Sequence, residues 1–152
     1  MLVVSDTSPL TALLQIGRAE VLRELFGRVL IPIAVQKELL RGHLSAPPWV
    51  EVRSVNAVPR SLLEEGLDRG ETEAIALALE IEADVLLIDE RRGRRAAAAR
   101  GLKVTGLLGV LVLAKQRGHL LKVRPVIDEL QRIAGCWFDA VLIEDVCRAA
   151  GE

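Results

Sequence analysis

The stretch Met1-Leu2-Val3-Val4-Ser5-Asp6-Thr7-Ser8-Pro9-Leu10 decides how the chain is read. The apolar run at residues 2–4 does not alternate with polar positions, which suits a strand covered on both faces, as in the middle of a parallel sheet. Ser8 followed by Pro9 suits an N-cap and first helical position. Asp6 is therefore expected at the carboxyl end of a buried strand. In open α/β sheets ligands bind at that edge, where the strand order reverses. The remaining sequence is informative to the extent that it brings further carboxylates to the same edge.

Outward from this stretch, strands alternate with helices. A helix at residues 19–26 closes at Gly27, and a strand at 28–31 precedes a helix that Pro32 opens and Gly42 stops. A turn-rich link at 45–48 leads to an alternating, half-exposed edge strand within 49–55, and then to a helix near 60–67. Gly70, Glu71, Thr72 and Glu73 lead into Ala74, Ile75, Ala76, Leu77, Ala78 and Leu79, a helix apolar on most sides and therefore buried, which is expected to end near Ala83. Val85, Leu86, Leu87 and Ile88 repeat the opening theme, an apolar strand that stops at a carboxylate, Asp89. A basic helix at 90–100, a short strand at 102–104, a helix through Lys115, and helices near 125–134 and 138–149 complete the chain. The expected fold is α/β, a doubly wound five-stranded mostly parallel sheet flanked by helices. Strand order 3-2-1-4-5 would set Asp6 and Asp89 side by side at the switch point.

Composition narrows the classes. A length of 152 residues with 51% hydrophobic residues fits one domain, 1–152, with an ample core. No apolar stretch approaches the ~20 residues of a membrane span, and no basic segment precedes a signal-like run, so the expectation is a cytoplasmic protein with no membrane contact. Cys136 and Cys147 lack metal-cluster spacing and read as core or helix-face thiols. The net charge of −1 gives no global attraction to nucleic acid, so such binding needs a local patch.

Glu38 and Glu73, on helices flanking the crevice, can join Asp6 and Asp89 there. Hard oxygen ligands without imidazole or thiolate favour Mg²⁺ or Mn²⁺. Ions so held activate water and clamp the oxygens of an in-line displacement at phosphorus. Crowded carboxylates are costly unless a cation neutralises them.

At these residues the chain resembles a known family. Asp6-Thr7-Ser8-Pro9-Leu10, Ile31-Pro32 through Glu38-Leu39, Gly70-Glu71-Thr72-Glu73-Ala74 and Leu87-Ile88-Asp89-Glu90 look like the four motifs of PIN-domain proteins, closest to the VapC-like branch. Gly106-Leu107-Leu108-Gly109-Val110-Leu111 is a further matching segment. The resemblance implies a PIN-like nuclease domain: a Mg²⁺- or Mn²⁺-dependent endoribonuclease, often the toxin of a toxin–antitoxin pair, with an RNA substrate, a protein antitoxin and a homodimeric state. It carries the catalytic and metal roles to Asp6, Glu38, Glu73 and Asp89. Ile88 stands where the family pattern has a Thr, so Glu90 is the formal match for the fourth acid. Asp89 is preferred because it ends the apolar strand, and Glu90 stays a second metal candidate.

Taken singly, each residue has a plainer reading. Asp6 and Asp89 suit N-caps, Glu38 a solvated helix position, and Asp68 with Glu71 a capping box. Glu73 stands on the stripe of Ala76 and Leu77, and a buried acid needs a partner. Arg91, Arg92, Arg94 and Arg95 are candidates for RNA phosphate contact, with Ser8 in support, or else form a solvated, ion-paired face. Trp49, Trp137, Phe26 and Phe138 are not interleaved with this basic run, so substrate choice is expected to rest on backbone and shape rather than on stacking. The apolar positions Val141, Leu142, Ile143 and Val146 could serve a dimer or the core. His43 and His119 read as surface residues.

Other classes are weighed on the same residues. A haloacid-type phosphatase needs a second Asp two positions after Asp6, where Ser8 stands. A receiver domain needs an acid pair after the first strand. A catalytically idle module binding RNA or a protein partner is the remaining alternative.

Overall fold

The computed structural model describes all 152 residues. Strands β1 (Val3–Ser5), β2 (Val29–Pro32), β3 (Val50–Arg53), β4 (Val85–Leu87) and β5 (Val104–Thr105) form one sheet in the order β3-β2-β1-β4-β5. All four strand pairings are parallel, as the alternation of strands and helices requires. β1 and β4 pair as Val3–Val85, Val4–Leu86 and Ser5–Leu87, so both strands end at one level. The Asp6 amide then donates to the Leu87 carbonyl at 2.9 Å, which ties the two strand ends together.

The apolar runs are buried on both faces because alternate residues enter different cores. Val3, Val29, Ile31 and Leu87 join a larger cluster with helices α1 (Thr7–Gln15), α2 (Glu20–Phe26) and α3 (Ile33–Arg41). The same cluster takes in α7 (Leu107–Gln116), α8 (Arg124–Arg132) and, through Cys147, α9 (Ala140–Ala149). Val4, Leu30 and Leu86 join a smaller cluster with α4 (Arg60–Leu63), α5 (Arg69–Glu80) and α6 (Arg91–Ala99). Small side chains on both sides, Ala74 and Ala78 with Ala96 and Ala97, let α5 and α6 pack closely in that cluster.

Local departures from expectation have local causes. α1 begins at Thr7 with Asp6 at the N-cap position, so Ser8 lies inside the first turn and caps nothing. The helix near 60–67 is cut to one turn before Gly66, whose φ of 71° ends it. Cys147 is buried, Cys136 is half-buried, and neither forms a disulfide. His119 lies at the surface and pairs with Glu24 at 3.3 Å. No helix is long and apolar enough to cross a membrane.

The Glu152 carboxylate ties the chain's last turn to α7 and α8. It accepts from the Val123 amide at 2.6 Å, the Arg124 amide at 3.2 Å and Lys115 Nζ at 2.9 Å. These donors, the Val123 amide foremost, hold its pKa down to about 2 from an ordinary 4.5. A depressed folded value stabilises above the unfolded pKa, and that contribution disappears as pH falls through the folded one. Glu152→Gln is expected to lower Tm by about 2–4 °C near neutral pH, by calorimetry. The difference from wild type should close as pH falls from 4.5 toward 2.

Candidate active site

The crevice at the carboxyl ends of β1 and β4 collects side chains from four segments. Asp6 is the most enclosed of them, 3% exposed. Its carboxyl makes no bond across the first turn of α1. Removal from water pushes its pKa up to about 7, the Thr7 amide works against the rise, and Asp68, Glu71 and Glu38 add to it. The charges that act most strongly on Asp6 are thus negative.

Glu38 reaches the crevice from α3, where Thr7 Oγ1 donates to its Oε2. Its carboxyl lies against the bare α-carbon of Gly70: a Cβ there would stand 2.7 Å from Oε2 and 2.8 Å from Oε1. Glu71 arrives at the third position of α5. The capping box with Asp68 forms, since the Glu71 amide donates to Asp68 Oδ1 at 2.8 Å and the Asp68 amide donates to Glu71 Oε1 at 3.4 Å. The box occupies only one carboxylate oxygen. Glu71 Oε2 is buried with no hydrogen-bond partner. Burial raises the Glu71 pKa to about 7, with Asp68 and then Glu90 contributing repulsion.

Glu73 does not join them. Its Oε1 accepts from the Ala34 amide at 3.2 Å, capping the start of α3, and its Oε2 lies 3.6 Å from Arg69 Nε. Residues two apart on a helix point about 200° apart, so α5 can present Glu71 or Glu73 to the crevice but not both. The structure presents Glu71. The stripe of Ala76 and Leu77 misleads because Ala74 through Ala78 are all buried, which leaves no unique inner face to choose from.

The β4 end divides the fourth role. Asp89 Oδ1 accepts from the Leu107 amide at 2.7 Å and so caps α7 rather than its own helix. Stripping of water raises its pKa although the residue keeps open surface, with the Leu107 amide and Arg94 opposing. Glu90 is the N-cap of α6, makes no capping bond, and its charge acts on both Glu71 and Asp89. The acids therefore form a row, Glu38 and Asp6 at one end, Glu71 in the middle, Glu90 and Asp89 at the other.

The arginines of α6 are partly committed to structure. Arg94 donates to the Ile88 carbonyl at 3.0 Å, and Arg92 donates to the Glu65 carbonyl at 2.8 Å. Arg91 and Arg95 are exposed. A cleft of about 840 Å³ opens beside the acid row, with Ser8, Asp89, Glu90, Arg91, Arg94, Trp137 and Phe138 among its lining residues.

Three acids rest against glycines: Glu38 on Gly70, Glu71 on Gly93, and Asp89 on Gly106. These seats have no side chain to clash with, a signal that spacing between charged residues does not carry. A Cβ at Gly93 would lie 2.6 Å from both Glu71 Oε2 and Ile88 Cδ1. Gly93→Ala is expected to cost about 1–3 kcal/mol in a denaturant melt. Gly70→Ala meets only the end of the Glu38 side chain and is expected to change stability by less than ~0.5 kcal/mol while pushing Glu38 off Thr7.

The donor set is all oxygen, and Glu71 offers a buried oxygen with nothing to bind. No three carboxylates converge on a single point. The all-oxygen chemistry is that of Mg²⁺ or Mn²⁺, which take one or two carboxylates and fill the remaining positions with water and phosphate. Asp6 and Glu71, with Glu38 or Glu90 at either side, are the residues fitted to hold such an ion. A metal-free test follows from the raised values. Between the ordinary pKa values of 3.8 and 4.5 and the raised ones near 7, the native state keeps protons that the unfolded chain has released, so stability falls as pH climbs. In chelator the protein is expected to melt higher near pH ~5 than near pH ~8, and Asp6→Asn to flatten that slope.

The comparisons agree with this fold. The chain matches the PIN-domain family DUF3368 over residues 2–152. Among solved structures it resembles a PilT N-terminus domain protein, SSO1118, from the hyperthermophilic archaeon Sulfolobus solfataricus P2. The TM-score is 0.61 at 18% identity, covering 75% of this chain and 93% of that one, a likeness of fold. None of the curated proteins compared with the chain is similar enough to count as a relative. With nearly its whole length matched and its acids gathered at the switch point of a 3-2-1-4-5 sheet, the chain belongs to the PIN-domain family, whose fold is generally a nuclease fold that uses divalent metal ions.

Proposed function

We propose that the crevice hydrolyses RNA phosphodiester bonds as a Mg²⁺- or Mn²⁺-dependent endoribonuclease, and that the protein is the toxin of a toxin–antitoxin pair. The observation that carries the reading is the buried Asp6 at the end of β1, within electrostatic reach of Glu71, whose buried Oε2 has no partner. Bound there, a divalent ion would supply an activated water and charge stabilisation at phosphorus. The chain's own residues hold the rest in place. Thr7 fixes Glu38, the capping box fixes Glu71, and the Leu107 amide fixes Asp89 at the mouth of the cleft. Arg91, exposed on the cleft wall, is free to fork onto a phosphate. Arg94 adds positive charge there while anchored to Ile88. The same reading assigns the protein to the cytoplasm, with a homodimer and a protein antitoxin as partners.

The test uses purified protein, RNA and Mg²⁺ or Mn²⁺. Wild type is expected to cleave, and EDTA to abolish cleavage. Asp6→Asn and Glu71→Gln are each expected to lower kcat by more than about a hundredfold. Glu73→Gln should retain most activity, because its carboxylate serves α3 and Arg69. Mg²⁺ should raise the wild-type Tm, with about 2.7 kcal/mol gained at a hundredfold excess over Kd, and leave Asp6→Asn unmoved. Cleavage that survives EDTA would reject the metal reading, and absent cleavage with no Tm shift would favour the idle binding module.

A further inference from the structure

The cleft beside the acid row contains an aromatic wall that the ribonuclease reading does not use. Residues 133–139 connect α8 to α9, and within them Phe138 turns inward onto the larger core while Trp137 remains 82% exposed. An indole is an expensive side chain to leave in water, and here it lines the same cleft as Arg91, Arg94 and the carboxylates Asp89 and Glu90. Trp49, the other tryptophan, is instead held by Glu20 through its ring nitrogen at 3.1 Å. Trp137 has no such partner in the protein.

Building on the ribonuclease reading, we propose that Trp137 is a stacking platform for an unpaired base of single-stranded RNA, next to the nucleotide whose phosphate meets the acid row. The shared lining of the cleft carries this. Carboxylates suited to a cation, guanidinium groups suited to the phosphate backbone and an open aromatic face suited to a base border one cleft. A nucleotide chain presents phosphate and base together. The preference for single strands follows from geometry, since in a duplex both faces of each base are already covered, whereas an unpaired base can lie flat on the indole. A protein partner would use the apolar ring but leave the adjoining guanidinium groups without phosphates to bind.

The chain's two tryptophans make the test direct. In Trp49→Phe combined with Asp6→Asn, Trp137 is the sole indole and cleavage is stopped. Titration with a labelled single-stranded oligoribonucleotide, followed by anisotropy and by indole emission, is expected to show binding with matched quenching. The same strand annealed to its complement should bind more weakly and leave emission unchanged. In otherwise wild-type protein, Trp137→Ala is expected to raise KM for single-stranded RNA by about tenfold or more with kcat little altered, and Trp137→Phe to restore most of the loss. RNA that binds and is cleaved with no change in Trp137 emission, and equally well by Trp137→Ala, would overturn the platform while leaving the ribonuclease reading intact. Neither binding nor cleavage by wild type would overturn both. A Trp137→Ala protein that loses a dimer by light scattering yet handles RNA normally would assign the ring to an interface between copies instead.

Discussion

Asp6 is held away from water at the end of a central strand, and the charges that act on it most strongly are carboxylates. Ionising it there without a cation is unfavourable both through lost hydration and through repulsion, and the two effects point the same way. The surrounding structure does not relieve this by neutralising the group. No lysine or arginine pairs with Asp6, and the guanidinium of Arg94 acts on Asp89. The demand for positive charge is therefore left standing at the place where parallel-sheet folds bind their ligands. The sheet order makes that place possible by pairing β1 with β4, so that Ser5 and Leu87 end level and the acids beyond them open on one crevice.

Holding several carboxylates in one crevice takes steric as well as electrostatic provision. Glu38, Glu71 and Asp89 each occupy space that a Cβ would take at Gly70, Gly93 and Gly106. Each is also fixed by a donor, from Thr7, from the Glu71–Asp68 box and from the Leu107 amide respectively. The seats lie at the beginnings of α5, α6 and α7, where unpaired amides and the helix dipole soften the repulsion without removing it. The glycines are thus required by close approach at these positions and not by an unusual backbone angle.

The sheet was legible in the sequence because residues 2–4 and 85–88 are apolar without alternation, and a strand buried on both faces has no other pattern to show. Asp6, at the end of one such run, could be placed for the same reason. Glu71 could not be separated from Glu73 by spacing, because α5 is buried almost all round and the hydrophobic stripe that normally fixes a helix's orientation is missing. Glu71 was readable as half of a capping box, which is correct, but a carboxylate has two oxygens and the box accounts for one. The aromatic wall was hidden for a different reason. Trp137 and the α6 arginines are far apart in the chain, and only the return of the segment before α9 to the β5 edge makes them neighbours.

The arginines illustrate how charge counts overstate available charge. Four follow Asp89 in five positions, and helical spacing alone lines up Arg91, Arg94 and Arg95. Yet Arg94 bonds the carbonyl of Ile88 and Arg92 reaches the carbonyl of Glu65, so two of the four pin α6 to the end of β4 and to the link before α5. A guanidinium held by a neutral carbonyl keeps its full charge and loses only its freedom. Arg94 can therefore steady the strand end while its charge acts on Asp89 at the cleft. Of the two left unbonded, Arg95 does not line the cleft, and Arg91, one residue after Glu90, is the one free to fork onto a phosphate there.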